Sequence, residues 1–282
     1  QMKGENAKTY MTGLSFKYVW EIVENDFPVY NPRGEIWDGT NNLTDFSTFK
    51  GAGTHENPYI IENGNQLAYA VTKSGNELHY KLANDIVLND TSYDGWQAGA
   101  HGWVQNSSYR FNGEMDGDGH TIEGLYWNAA SANTRYGLFA YCGKANNGTH
   151  VAVFKNITFT GASVNHSATT EGVAIVAGQA SGETIFENIY IDESCKVNAP
   201  NVKGVAGLVG RGYNQNTKAH ITIKNCAVLA DITGGAHVGA FAGTFWDSAV
   251  EINASGSFAV TNTGLIGSTV GTTTINKVYT NT

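Results

Sequence analysis

Val205-Ala206-Gly207-Leu208-Val209-Gly210, followed some 16 residues later by Ile221-Thr222-Ile223-Lys224-Asn225-Cys226-Ala227-Val228, is the stretch that decides the fold, because the same two-part unit recurs on both sides of it. The small apolar part returns as Gly137-Leu138-Phe139-Ala140, Val173-Ala174-Ile175-Val176-Ala177-Gly178, Val238-Gly239-Ala240-Phe241-Ala242-Gly243 and Leu265-Ile266-Gly267, and the starts of the five copies lie 36, 32, 33 and 27 residues apart. The second part returns as Phe154-Lys155-Asn156-Ile157-Thr158-Phe159, Ile185-Phe186-Glu187-Asn188-Ile189-Tyr190-Ile191, Val250-Glu251-Ile252-Asn253 and Thr274-Ile275-Asn276-Lys277-Val278. Each is a short run of alternating polarity, the pattern of a strand. A unit of roughly 30 residues built from such strands, with no helical periodicity, cannot bury its apolar side alone, and stacking successive units supplies the missing neighbours. The repeat therefore reads as an all-β solenoid, a parallel β-helix of about five coils after residue 110. Leucine-rich repeats recur at about 20–29 residues with Asn at a turn, but the L-x-x-L-x-L spacing they need is missing.

Asn156, Asn188 and Asn225, with Asn253 and Asn276, fall near one point of each coil. An amide carries donors and acceptors, so stacked Asn side chains can bond one another and the turn backbone. Asn188 is expected to be buried and bonded to its coil neighbours. Upstream, Gly64 to Ser74 carries Leu67, Ala70 and Val71 at helical spacing, with Asn65 as a candidate cap. A short N-terminal helix of this kind would cover the solenoid's open sheet edge, which would otherwise recruit other chains. Residues 91–112 are rich in Ser, Gly and aromatics and read as a long loop. The chain thus divides into 1–50, an N-terminal extension or the tail of a preceding unit; 51–110, a capping region; and 111–282, the coils.

Composition narrows the function. The 282 residues include 34 Gly and 4 Pro, only 15% are charged, and the net charge is 17 − 25 = −8 with no cluster of Lys or Arg. Nucleic acid would be repelled. The three cysteines, Cys142, Cys195 and Cys226, are an odd number without Cys-x-x-Cys or Cys/His ligand spacing, and read as small core residues. No apolar run of 18 or more occurs, and the opening Gln1-Met2-Lys3-Gly4 carries no apolar segment of a signal peptide, so membrane insertion is not expected.

Gly53-Thr54-His55-Glu56-Asn57-Pro58-Tyr59-Ile60-Ile61, Gln66-Leu67-Ala68, Tyr80-Lys81-Leu82-Ala83-Asn84-Asp85-Ile86, Phe111 to Tyr126 with its Asp116-Gly117-Asp118-Gly119-His120 turn, and Gly207-Leu208-Val209-Gly210 together resemble the bacterial cell-surface proteins with GLUG repeats, over about residues 53–280. The resemblance implies a right-handed parallel β-helix in secreted or wall-attached proteins, many of them adhesins or non-catalytic parts of surface proteases. It departs from the family where later copies read Ala-Ile-Val-Ala-Gly and Gly-Ala-Phe-Ala-Gly. The segment Gly13 to Tyr30 resembles what closes such a unit, so the chain reads as a piece of a larger multi-domain protein, cut out of phase with its units.

Asp116, Asp118 and His120 form the most catalytic-looking group, since two carboxylates and an imidazole could serve as acid and base in a polysaccharide lyase or hydrolase of the β-helix type. Asp-Gly-Asp-Gly-His is also a turn signature followed at once by the strand Thr121-Ile122. As a calcium loop it fails, because position 12 counted from Asp116 is Trp127 rather than Glu. No H-E-x-x-H, G-x-S-x-G or P-loop pattern occurs. The expectation is no catalysis, no cofactor and no metal. Among 6 Trp, 14 Tyr and 12 Phe, the rings of Trp96, Trp103, Trp127, Tyr213 and Trp246 sit in Gly- and Asn-rich surroundings where they could stack on sugars. The function expected is an extracellular or cell-surface module that binds glycans or a surface protein, or spaces other domains.

Overall fold

In the computed structural model the chain is described over residues 3, 6, 20–21, 27, 29–30, 35–72, 77–104, 110–131, 135–143, 151–213, 219–246, 250–255, 259–260 and 266–269; for 20–21, 29–30, 219, 245–246, 250–255, 259–260, 266 and 268–269 the backbone alone is described. It is a parallel β-helix. Four coils after residue 110 pass all three faces of the solenoid, and part of a fifth is described.

The first face stacks Tyr59–Ile61, Leu78–Leu82, Gly113–Asp116, Ala152–Thr160, Glu183–Ile191, Ala219–Lys224 and Val250–Ser255 in spatial order. The second stacks Tyr126–Ala129, Ser163–His166, Lys196–Ala206 and Asp231–Gly239, and the third stacks Phe139–Cys142, Ala177–Ala180, Val209–Tyr213, Ala242–Trp246 and Ile266–Thr269. The parallel ladder starts at Tyr59–Ile61 and Leu78–Leu82, inside the region expected as a cap, so the coils begin earlier than residue 111.

The recurring Asn explains how one strand serves two sides of a corner. Along Ala152–Thr160 the buried residues are 152 and 154 before Asn156, and 157 and 159 after it, so the inward parity flips at the Asn. Asn156, Asn188 and Asn225 have φ of 57°, 53° and 49°, the left-handed region that Asn tolerates better than other side chains. A single left-handed residue bends the strand and keeps both halves facing the core. Asn188 donates to Asn156 Oδ1 at 2.8 Å and Asn156 donates to Asp116 Oδ1 at 3.0 Å, so the side-chain ladder exists. Asn188 is nevertheless exposed, correcting the expectation that it is buried. The backbone conformation, more than burial, selects the residue.

Register puts like on like inside. Tyr59, Tyr80, Met115, Phe154, Phe186 and Ile223 form one inward column, and Ile122, Phe159, Ile191 and Val228 another. Phe154 and Phe186 stack at 5.4 Å with a 17° tilt. The small apolar segments let neighbouring coils approach closely: a Cβ at Gly210 would lie 2.3 Å from Val173 N and 2.6 Å from Gly172 C. Cys142, Cys195 and Cys226 are buried free thiols, as the sequence suggested, and burial pushes each pKa up to about 12.

The helix, α1, runs Gly64–Thr72 and buries Gln66 to Val71. Its N-cap is Asn63, whose Oδ1 accepts the Gln66 N–H at 3.0 Å; Asn65 instead donates to Asn42 Oδ1 at 2.8 Å. The outer edge of the first face is met by an antiparallel bridge from Lys50 to Ile60, with Ile60 N donating to Lys50 O at 2.9 Å. Residues 35–50 therefore belong to the cap: Trp37 and Phe49 are buried in the common core. Within 13–30, the described residues include Trp20–Glu21 and Val29–Tyr30, paired antiparallel.

Candidate functional site

Just before the Asn corner, the outward positions of the first face carry Lys81, Asp116, Lys155, Glu187 and Lys224, each in register with the next. The signs alternate rung by rung. Opposite charges on adjacent strands attract, and a slip of one residue would break every pair. Lys155 Nζ lies 3.3 Å from Asp116 Oδ2 and 2.7 Å from Glu114 Oε1, and Lys224 Nζ lies 3.9 Å from Glu187 Oε2.

Asp116, Asp118 and His120 sit where this row meets the corner. Lys155 to Thr158 takes three steps and the paired stretch Asp116 to Thr121 takes five, so the Asp-Gly-Asp-Gly-His turn is a two-residue insertion at the place other coils use one Asn. Asp116 Oδ1 accepts the Asp118 N–H at 2.9 Å and the Asn156 amide at 3.0 Å. Burial raises the Asp116 pKa, but the hydrogen bonds from Asn156 and Asp118 and the Lys155 charge outweigh it and hold the carboxyl below its ordinary value. Asp118, with φ of 53°, pairs with Lys81 Nζ at 2.9 Å. His120 Nδ1 lies 3.3 Å from Asp85 Oδ1, which also accepts the Thr121 N–H at 2.8 Å. The three residues thus face three different partners. A general acid needs a raised pKa and an unengaged proton position; Asp116 has the opposite setting.

Past the corner the next row in register is uncharged, with Glu123 two residues on from Thr121 and Asp192 and Glu193 acting on Tyr190. Thr121, Thr158, Tyr190 and Ala227 align across four rungs, all partly or fully exposed, with the Tyr190 ring 39% exposed. Tyr93, in the turn after Thr91, is 54% exposed. Thr91 packs at the next corner along, its side chain 2.5 Å from where a Cβ on Gly161 would stand and its hydroxyl donating to Glu123 Oε1 at 2.7 Å. The Tyr190 ring and the Thr158 and Thr121 hydroxyls in register with it are groups of the type that can stack on a sugar face and bond its hydroxyls.

The aromatic residues singled out from the sequence are placed differently. Trp96 is 7% exposed and packs edge-on against Tyr126 at 5.8 Å; Trp103 is 3% exposed, donates from Nε1 to Leu138 O at 3.1 Å and meets Trp37 edge-on at 5.3 Å. Both are buried, and Trp103 joins the common core, because the described parts of the Ser- and Gly-rich segment turn these large apolar rings inward. Trp127 packs against the core, with Nε1 3.3 Å from Gly137 O. Tyr213 is partly exposed and carries the Arg211 guanidinium 4.5 Å from its ring centre. The backbone of Trp246 closes the strand Ala242–Trp246 beside Tyr213, and its side chain lies outside the described residues. Tyr93 and Tyr190 were missed. Tyr190 was legible as an outward position of an alternating strand.

A third polar group lines the third face, where Tyr141, Gln179, Arg211 and Thr244 are in register. Arg211 Nη1 lies 2.9 Å from Glu171 Oε2, and Arg135 donates to Gln179 Oε1 at 3.2 Å. Gln179, Arg211 and Thr244 are buried, so this network is part of the wall rather than an open site.

No family model matches the chain. It is 31% identical over 153 residues, 52% of this chain and 16% of the relative, to a protein of Evansella cellulosilytica named "Putative Gly-rich membrane protein". It is 31% identical over 142 residues, 48% of this chain and 1% of the relative, to halomucin of Haloquadratum walsbyi. The chain spans a small part of either curated relative. A crystal structure of a "putative immunoglobulin A1 protease" from Bacteroides ovatus superposes with a TM-score of 0.48 and 20% identity, over 80% of this chain and 66% of that one. The resemblance drawn from the GLUG-like residues stands at the level of the β-helix.

Proposed function

We propose that the chain is a non-catalytic β-helix module of a secreted or cell-surface protein, and that it binds extended glycans weakly along the row Thr121–Thr158–Tyr190. The observation that carries the reading is the contrast across the Asn corner. On one side every carboxylate of the candidate catalytic group is pinned by a cation, an amide or a backbone N–H. On the other side an exposed ring stands among aligned hydroxyls. The relative named as a membrane protein supports a place at the cell surface. A rigid, repeating wall suits a polymer better than a small ligand.

A shallow site of stacking and a few hydrogen bonds gives roughly 10 μM to 1 mM affinity for a short oligosaccharide, about −7 to −4 kcal/mol. Affinity electrophoresis of the chain through gels containing pectic, β-glucan, mucin or host-type polysaccharides measures it. At least one polymer is expected to retard the protein, and Tyr190→Ala is expected to remove most of the retardation. Retardation by none, with adhesion to cells retained, replaces the glycan by a protein partner. Release of reducing ends or unsaturated products, abolished by Asp116→Asn, replaces the whole reading by the lyase or hydrolase one.

A further inference from the structure

One group of side chains belongs neither to the alternating-charge row nor to the Tyr190 surface. His79, on Leu78–Leu82, is in register with Glu114, on Gly113–Asp116. His55 stands over the pair. It lies in the loop between Gly53 and Pro58, which is held to the strand by the bond from His79 N to Gly53 O at 3.0 Å and is closed by Thr54 N to Asn57 O at 3.2 Å and Asn57 N to Thr54 Oγ1 at 3.1 Å. One ligating atom from each of His55, His79 and Glu114 lies within 4.8 Å of the others. The two imidazoles meet edge to face with centroids 5.2 Å apart, and His55 Nδ1 is 3.9 Å from Glu114 Oε2.

We propose that His55, His79 and Glu114 bind a zinc-class divalent cation that clips the 53–58 loop to the second and third rungs of the first face. Two imidazole nitrogens and one carboxylate oxygen are a set that borderline metals prefer to calcium or magnesium, which take oxygen ligands. Three protein ligands leave a fourth position for water. Metal–ligand distances of about 2.0–2.1 Å in a tetrahedron put the ligating atoms roughly 3.3 Å apart. The three side chains must therefore draw together by at most about 1.5 Å, a movement open to His55, which is 66% exposed.

Two further observations fit a ligand here. His79 Nδ1 is sealed from solvent yet has no hydrogen-bond partner among the described residues, a state that costs free energy until something binds it. Lys155 Nζ orients Glu114 by a 2.7 Å contact on Oε1 and leaves Oε2 facing His55. Its charge is shared with Asp116, so Glu56, Glu114 and Asp116 against Lys155 leave the surroundings negative.

The test is isothermal titration of the chelator-treated full chain with zinc chloride at pH 7.5. The expected result is one zinc per chain, undisturbed by millimolar magnesium or calcium, and weakened at least tenfold in both His55→Ala and Glu114→Gln. His237→Asn, at an exposed left-handed position, is expected to bind as the parent does. Saturating zinc should raise the thermal midpoint of the parent and leave that of His55→Ala unmoved. No uptake of zinc, or uptake unchanged in His55→Ala, overturns the proposal. His55→Ala alters an exposed side chain and decides the matter alone if Glu114→Gln fails to fold.

Discussion

Between Gly113 and Val228 the inward side chains of the paired strands have counterparts one coil away, whereas in residues 35–104 only Tyr59 and Tyr80 continue such a column and the other buried rings do not repeat. In the coils, Phe154 sits over Phe186 because register delivers the same position every turn. In the cap, Phe46 stacks on Tyr59 at 4.3 Å, meets Tyr69 edge-on at 5.0 Å and Phe49 at 5.1 Å, and Trp37 meets Trp103 at 5.3 Å. These rings come from a loop, a strand and a helix. The coils show how a modest pattern, repeated, makes a core; the cap shows what is needed where the pattern stops. An open first rung has no neighbour on one side, and large rings of varied orientation fill the space a further coil would have occupied.

The comparison can be broken by two truncations. Phe154→Ala removes a ring that touches Phe111, Phe139 and Phe186 in mid-column and is expected to cost about 3–5 kcal/mol, read as a fall in the urea midpoint of the whole chain. Trp37→Ala is expected to open residues 35–104 while amides of 183–228 keep their exchange protection, since each coil depends chiefly on its neighbours. Equal loss of protection in both regions would show the cap and coils to be one cooperative unit.

A smaller effect sharpens the account of the corner. If the left-handed φ of 53° selects the residue, Asn188→Leu should lose about 1 kcal/mol and Asn188→Gly much less, although Gly deletes the ladder bond to Asn156 as fully as Leu does. Equal losses by thermal melt would return the explanation to the side-chain ladder.

The smallest effect is tied to pH. The folded-state pKa of Asp116 lies below the ordinary 3.8, so its contribution is complete above 3.8 and disappears as pH falls through the folded value. The stability gap between the parent and Asp116→Asn at pH 7 is therefore expected to shrink as the pH falls below 3.8. A gap that does not shrink would mean the turn gains nothing from the ionised form.

The coils were legible because their information is local: alternation within a strand and a spacing near 32 residues, as between Phe154 and Phe186. The corner Asn residues were visible too, though their left-handed backbone was not. The cap hid its aromatic contacts because Trp96 and Trp103 sit in a segment whose Ser and Gly content reads as exposed loop, and composition does not say which way a loop folds. The imidazole–carboxylate group was invisible for a different reason. His55, His79 and Glu114 are separated by 24 and 35 residues, a spacing that matches no ligand motif, and strand register together with one loop bond brings them together.

The parallel ladder also has a mechanical consequence. Strands lie across the axis and hydrogen bonds join rung to rung, so tension applied between the two ends is carried by one rung interface after another in series. Peeling one coil frees about 32 residues, which extend to roughly 11 nm at 3.3–3.6 Å each. Under load the molecule would lengthen in repeated increments of that size and dissipate energy at each, with the alternating charges and Asn corners setting how hard each successive rung holds.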